Sequence, residues 1–151
     1  MYNIAMRFFN NRMDAEDILQ ESFIQVFKKI KELKDEKAFA RWLKKIVINK
    51  SISELRKRKI RFEPIDDFIG NEMANETETI EASLEPEVVN HAIKELPSSF
   101  RTIVNLHVFV GKKHREIAQM LDITESTSKA RYKQAKTLLA QSLNNYLNHE
   151  D

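Results

Sequence analysis

Residues 112–136 read KKHREIAQMLDITESTSKARYKQAK. Ile117, Ala118 and Leu121 share one helical face, and Thr124 suits the N-cap of a second helix because its hydroxyl can accept from a free amide. That second helix carries the basic residues Lys129, Arg131, Lys133 and Lys136. Two short helices joined by a tight turn, the second one basic, form the helix-turn-helix pattern, whose second helix enters the DNA major groove. The pattern favours DNA binding over a helical hairpin with a solvated basic face.

The composition indicates an all-α protein, because 151 residues include only 2 glycines and 3 prolines. This length accommodates one domain or two small ones. The chain has no cysteine, which excludes a disulfide framework and any thiolate metal site. It also has no long apolar run, so we expect no membrane insertion, no signal peptide and a cytoplasmic location.

Charge is unevenly distributed along the chain, although the net charge is only +2. Residues 1–61 contain 16 Lys and Arg against 8 Asp and Glu, residues 62–95 contain 1 against 10, and residues 96–151 contain 8 against 5. Two basic blocks around an acidic middle indicate a polyanion partner contacted at two places. The acidic stretch 62–85 contains Pro64 and Gly70 and lacks helical periodicity, which predicts a flexible linker.

The clearest helical pattern spans residues 14–33, with Asp14 as the predicted N-cap. Its apolar residues recur at helical spacing, and we expect them to face inward: Ala15, Ile18, Leu19, Phe23, Val26, Phe27 and Ile30. The other face carries Asp14, Asp17 and Glu21 with Gln20 beside them. This acidic patch is either a solvated face whose acids suit the helix dipole or a docking face for a basic protein surface.

The next predicted helix, residues 38–59, is amphipathic and basic. Arg41, Lys44, Lys45 and Lys50 face outward, and a face of a single charge sign is better explained by phosphates than by solubility. Trp42 lies at apolar spacing, so we expect it in the core and not as a base-stacking platform. Further helices are predicted at 86–95 and 98–110, and Gly111 suits a left-handed terminator.

We find no catalytic constellation in the sequence. The histidines, His91, His107, His114 and His149, lack metal-ligand spacing. Two glycines cannot form a phosphate-binding loop. A hydrolase built on the acids of residues 14–33 is the enzymatic alternative, but no partner nucleophile or metal site accompanies them. We therefore expect no enzyme activity, no metal and no cofactor.

Several motifs resemble one known family. Residues 14–23, DAEDILQESF, resemble the signature of sigma region 2 in the extracytoplasmic-function (ECF) sigma factors of bacterial RNA polymerase, within the sigma-70 family. Residues 38–43, AFARWL, followed by Ile46 and Asn49, look like that family's next helix. The matches to sigma region 4 are Leu96-Pro97, Arg101, Gly111, Glu116-Ile117-Ala118, Thr127, Lys129, Arg131 and Ala135. The resemblance covers nearly the whole chain.

This resemblance implies two small helical domains joined by a flexible acidic linker. Residues 1–61 would be the region 2 bundle, 62–85 the linker and 86–151 the region 4 helix-turn-helix. Such a protein directs core RNA polymerase to specific promoters and assists DNA melting at initiation. Its partners would be the beta-prime coiled coil and beta flap of core polymerase, promoter DNA and an anti-sigma factor.

The resemblance also implies site residues. The positions matching the polymerase-binding surface are Asp14, Asp17, Gln20 and Glu21. Those matching the minus-ten contacts are Leu33, Lys34, Lys37, Arg41, Lys45, Asn49 and Lys50, where a flipped base needs a hydrogen-bonding pocket and the exposed strand needs cations. The candidates for the minus-thirty-five element are Ser126, Thr127, Lys129, Ala130, Arg131, Lys133 and Gln134, with Arg131 nearer phosphate.

Two other functions remain open from the residues alone. One is a stand-alone helix-turn-helix transcriptional regulator with an N-terminal interaction module, which would not need the acidic stripe of Asp17, Gln20 and Glu21. The other is a protein-interaction module, disfavoured by the cationic second helix. Three positions depart from the family. Asp122 stands where the turn usually has glycine, Ser128 stands where an apolar residue packs, so its hydroxyl needs a partner, and Gln134 replaces a common arginine.

Overall fold

A computed structural model describes residues 1–58 and 85–149. Every regular element in these two ranges is helical, which confirms the all-α prediction. The predicted linker, 62–85, lies outside the described residues except for Glu85.

Residues 1–58 contain three α-helices, α1 (Tyr2–Phe9), α2 (Arg12–Lys29) and α3 (Phe39–Lys57). Two short 3-10 helices, Ile30–Glu32 and Glu36–Ala38, connect α2 to α3. Asn10 turns the chain between α1 and α2 with a left-handed φ of 56°, which Asn tolerates better than most residues. Asn11 caps α2, because its side chain accepts from the Asp14 amide at 2.9 Å. The prediction that Asp14 is the cap is therefore wrong. The helix begins two residues earlier, and this leaves the Asp14 carboxylate free to reach α3.

The C-terminal part contains α4 (Pro86–Glu95), α5 (Ser98–Val104), a π-helical segment (Asn105–Phe109), α6 (His114–Leu121) and α7 (Glu125–His149). Gly111 ends the π-helical segment with φ of 78°, as its sequence position predicts. Asp122 adopts φ of 56° in the turn between α6 and α7. Thr124 caps α7, since its hydroxyl accepts from the Thr127 amide at 3.0 Å. The turn at Asp122 and the cap at Thr124 separate α6 from α7, the two helices of the predicted helix-turn-helix.

The buried face of α2 is narrower than the apolar pattern predicts. The residues that pack inward are Ala15, Ile18, Ser22 and Val26, and the Ser22 hydroxyl donates to the Ile18 carbonyl at 2.6 Å. Phe23, Phe27 and Ile30 are exposed, with Phe27 at 77%. The prediction that these three residues face inward is therefore wrong. The side of α2 that carries the small residues Ala15 and Ser22 packs against the core, and the bulky residues on the other side are exposed to solvent.

The two parts of the chain share one apolar core. Ile103, Leu106, Ile117 and Leu121 belong to the same buried cluster as residues of α1, α2 and α3. Phe100, Val104 and Ala135 form a second cluster with residues of α4.

Polar contacts to main-chain carbonyls join α1 to the C-terminal part. The Asn105 side chain donates to the Arg7 carbonyl at 2.5 Å, and Arg101 donates to the Phe8 carbonyl at 3.4 Å. Asn10 donates to the Lys94 carbonyl at 3.2 Å. The last carbonyls of a helix lack partners within it, and here side chains distant in sequence supply them.

Candidate nucleic-acid and protein interfaces

The acidic patch on α2 divides into one structural acid and three exposed polar residues. Asp14 accepts from both terminal nitrogens of Arg58, at 2.6 and 2.7 Å. The Arg58 hydrogen bonds, and then that of Asn11, lower the pKa of Asp14 to about 2. Asp14 therefore ties α2 to the end of α3. Asp17, Gln20 and Glu21 are exposed along one side of α2 and form the outward part of the patch.

Glu21 lies beside a cation from the neighbouring helix. The Lys50 ammonium is 3.2 Å from a Glu21 carboxylate oxygen, and the two side chains are 33% and 56% exposed. Exposed pairs of this kind contribute little to stability. The pair nevertheless places Lys50 on the α2 side of α3, away from the other cations that the sequence groups with it.

An exposed apolar surface continues from the acidic patch and was missed by sequence reasoning. Ile24 and Phe27 are 54% and 77% exposed. They follow Gln20 and Glu21 at helical spacing, so acidic and apolar side chains share one side of α2. Exposed aromatic residues beside charged ones are typical of protein interfaces. The sequence signal was the excess of large apolar residues in α2, which is more than one helix face needs.

The exposed side of α3 carries a row of polar residues. Arg41, Lys45 and Asn49 are exposed and recur at four-residue spacing. Lys34 and Lys37, in the connection before α3, are also exposed, whereas Leu33 is half-buried. Trp42 is partly buried against the core, with its ring centre 6.2 Å from that of Phe39, so the prediction of a core role is confirmed.

Asn49 lines a cleft between α3 and α6. The cleft has a volume of about 510 Å³ and is lined by Asn49, Ile52, Ser53, Arg56, Lys57 and Met120. Amide and basic groups therefore face an open space with an apolar floor. Such a lining suits a polar planar ligand accompanied by phosphate.

The first turns of α7 expose a short basic row. Ser126, Lys129 and Lys133 are exposed at spacings of three and four residues. Glu125 pairs with Lys129 at 2.8 Å, with side chains 46% and 61% exposed. The Lys129 hydrogen bond lowers the pKa of Glu125. Ala130 is half-buried beside this row.

Three residues of α7 that were predicted to contact the minus-thirty-five element are partly or wholly buried. Arg131 is 5% exposed, so the prediction that it stands near phosphate disagrees with the structure. It shares the inward side of α7 with Ser128 and Ala135, which are also buried. Gln134 is half-buried, with its side-chain oxygen wholly enclosed. The Thr127 hydroxyl lies 2.8 Å from that of Thr124, within the helix cap.

Ser128 has the partner that its burial requires. It is 0% exposed, and its hydroxyl lies 2.9 Å from Nδ1 of His114.

Among the described residues, no group of three or more His, Cys, Asp or Glu side chains could hold a metal ion. No helix within 1–58 and 85–149 is both long and apolar enough to cross a membrane.

Comparisons with known proteins bear on both parts of the chain. Residues 1–60 match the family model of Sigma-70 region 2, and residues 87–139 match that of Sigma-70, region 4. The chain belongs to the sigma-70 family, in its ECF group. It is therefore an RNA polymerase sigma factor, which directs core polymerase to promoters, and the comparisons do not support the stand-alone regulator.

Curated relatives carry matching names. The RNA polymerase sigma-H factor of Pseudomonas aeruginosa is 26% identical, over 93% of this chain and 78% of its own length. The ECF RNA polymerase sigma factor SigW of Bacillus subtilis is 26% identical, over 95% and 82%. The ECF factor SigE of Mycolicibacterium smegmatis is 30% identical, over 97% of this chain and 57% of its own length.

One solved structure is similar in fold. It is a co-crystal structure of the sigma factor RpoE with the anti-sigma factor NepR from Bartonella quintana, with a TM-score of 0.58 and 21% identity. The match covers 95% of this chain and 89% of that one.

Proposed function

We propose that the exposed side of α2 is the surface that binds core polymerase, at the coiled coil of its beta-prime subunit. The observation that carries this proposal is the continuous surface of Asp17, Gln20 and Glu21 with Ile24 and Phe27. The acids would steer and orient a basic partner, and the apolar side chains would supply buried contact area. Asp14 supports this surface indirectly, because it fixes α2 against α3 through Arg58.

We propose that the exposed side of α3 binds the separated minus-ten strand. Arg41 and Lys45 are available to phosphates, as are Lys34 and Lys37 in the preceding connection. Asn49 lines a cleft that a flipped base could enter, with an amide able to both donate and accept. Lys50 would contribute only after it leaves Glu21.

We propose that α7 reads the minus-thirty-five element as duplex DNA. Ser126, Lys129 and Lys133 form the exposed row that would face the major groove, with Ala130 beside them. Arg131 would act by packing, and Thr127 by capping the helix. The beta flap of polymerase would contact the same C-terminal part.

The chain would act in the cytoplasm, where core polymerase and DNA are present. We also propose an anti-sigma partner, since the solved structure of similar fold is a complex with such a factor. An anti-sigma factor that covered the proposed polymerase-binding surface of α2 would prevent the protein from binding polymerase.

A binding assay tests the polymerase surface. The labelled chain is titrated with bacterial core RNA polymerase, and fluorescence anisotropy reports complex formation. We expect Asp17→Arg and Glu21→Arg each to weaken binding at least about tenfold, because like charges meeting at an interface cost several kcal/mol. Phe27→Ser should weaken it about fivefold or more, as loss of an apolar anchor does.

The matched control is Glu95→Arg, which reverses an exposed acid at the end of α4 and should leave the affinity unchanged. Circular dichroism verifies that each variant is folded. Wild-type affinity in both α2 charge reversals would place the polymerase surface elsewhere on the chain.

A further inference from the structure

A polar and aromatic cluster lies inside the helix-turn-helix, apart from the contacts proposed above. It consists of His107, His114, Ser128 and Tyr132. The two histidine rings stack with centres 4.4 Å apart and planes inclined by 19°. Tyr132 meets the His107 ring edge-on at 4.6 Å and lies 5.5 Å from that of His114. Three elements thus meet here: the π-helical segment, α6 and α7.

The hydrogen bond between His114 and Ser128 joins the beginnings of α6 and α7. His114 is the first residue of α6, and Ser128 is the fourth residue of α7. Their side chains meet at 2.9 Å, and the serine is wholly buried. A buried hydroxyl without a partner destabilises a fold, so the position of α7 depends on where the His114 ring lies.

His107 fixes that ring. Its Nδ1 lies 2.9 Å from the Lys112 carbonyl oxygen. Because a carbonyl only accepts, Nδ1 of His107 carries the proton. This bond orients the His107 ring, and the stacked His114 ring is oriented with it. A chain of contacts therefore runs from the π-helical segment through both histidines to Ser128.

We propose that His114 is a positioning residue for DNA recognition, which holds α7 through Ser128 at the angle that presents Lys129 and Lys133 to the major groove. This inference rests on the proposed function of α7. An apolar contact at this place would hold the helix equally at any pH. The His114 contact makes the angle depend on an ionisable group, so sequence discrimination should depend on pH.

The surroundings of His114 disfavour its charged form. Burial lowers the pKa of His114, His107 and Lys129 lower it further, and Glu125 opposes them. Beyond these groups, Lys136 lies 5.3 Å from the Tyr132 ring, Lys112 pairs with Glu116 at 2.9 Å, and Arg115 is exposed.

The sign of the pH effect follows from the lowered pKa. Free imidazole titrates near pH 6.5, so below about 6.5 the unfolded chain binds more protons than the folded one. The cluster is therefore fully stable above about pH 6.5 and loses stability as the pH falls below it.

The test uses the complete chain bound to core polymerase. Its probes are a duplex selected by wild-type holoenzyme from a random-sequence pool and a scrambled duplex of equal composition. The measured quantity is the ratio of the two affinities from pH 5.5 to 8. For wild type we expect the ratio to fall several-fold toward pH 5.5.

Three variants separate positioning from general stability. Ser128→Ala should lower the ratio about three- to tenfold at pH 7.5, the effect of one lost hydrogen bond, and flatten its pH dependence. His114→Gln keeps a hydrogen-bonding side chain that does not titrate, so it should retain discrimination and lose the pH dependence. The control His91→Gln, at an exposed histidine of α4, should behave as wild type.

Wild-type discrimination in Ser128→Ala, or an unchanged pH profile in His114→Gln, would overturn the positioning role alone. Wild-type holoenzyme that fails to discriminate at any pH would overturn the proposed function of α7 and this inference with it. If circular dichroism shows Ser128→Ala to be unfolded, Ser128→Val replaces it. This apolar variant should fill the site and give a ratio independent of pH, and a wild-type pH profile would again overturn the proposal.

Discussion

Replacing Arg101 with alanine should destabilise both parts of the chain together. Arg101 is 9% exposed, and one of its terminal nitrogens donates to the Lys94 and Leu96 carbonyls at 3.0 and 3.1 Å. The other terminal nitrogen donates to the Phe8 carbonyl at 3.4 Å. One guanidinium thus connects the ends of α4 and α1.

The magnitude follows from these bonds. A hydrogen bond to a charged group contributes about 1.5–3 kcal/mol, and two of the three bonds are short. Burial offsets part of this, since it lowers the pKa of Arg101, which means that the charged form is penalised. We expect a net loss of about 3 kcal/mol in the free energy of unfolding. That loss corresponds to a fall in Tm of about 6–12 °C for a chain of this size.

The assay is urea unfolding followed by two signals. Circular dichroism reports all helices, and the fluorescence of Trp42, the only tryptophan, reports α3. Because the halves share a core, both midpoints should fall by about 1 M or more. Arg115→Ala, at an exposed arginine of α6, is the control and should change the free energy by less than about 0.5 kcal/mol. A Trp42 midpoint that stays at the wild-type value while the circular dichroism midpoint falls would refute the shared core.

Two further predictions concern charge and backbone strain. Acid should weaken the tie between α2 and α3, because the pKa of Asp14 is lowered to about 2: its contribution is present above about pH 4 and is lost as the pH falls toward 2. Asp14→Asn should remove this pH-dependent contribution to the free energy of unfolding, which is about 1 kcal/mol after solvent screening. Urea titrations at pH 2.5 and 6 measure the difference. Asp122→Gly should raise Tm by about 2–4 °C, since φ of 56° strains a residue with a Cβ; calorimetry that shows a lower Tm would mean that the aspartate side chain stabilises the turn.

Local features of the sequence predicted local features of the fold. Pro86 and Leu96-Pro97 bound α4, Gly111 adopts a positive φ, and Thr124 caps α7, each as expected. These outcomes depend on residues a few positions apart. The hydrogen bond from Asn105 to the Arg7 carbonyl joins residues 98 positions apart, and no periodicity in the sequence indicates such a contact.

The exposure of some candidate interface residues was predicted from the sequence, and that of others was not. Spacing alone correctly predicted that Asp17 and Glu21 of α2 and Arg41 and Lys45 of α3 are exposed, whereas Lys44 and Lys50, predicted to face outward, are half-buried. Hydropathy could not show that Phe27 faces solvent while Ser22 is buried, because small residues permit close helix packing that large ones obstruct. Nor could charge show that Arg131 is buried.

The contacts between α1 and the C-terminal part have a consequence for sequence tolerance. Arg101 donates to the main-chain oxygen of Phe8, and Asn105 donates to that of Arg7. Every amino acid carries such an oxygen. Substitutions in α1 that keep it helical therefore leave these acceptors in place. For these two hydrogen bonds, the requirement for particular side chains falls on positions 101 and 105. A chimaera that exchanges α1 for that of a relative keeps these two hydrogen bonds, whereas one that exchanges α5 together with the π-helical segment keeps them only if it brings the same two donors.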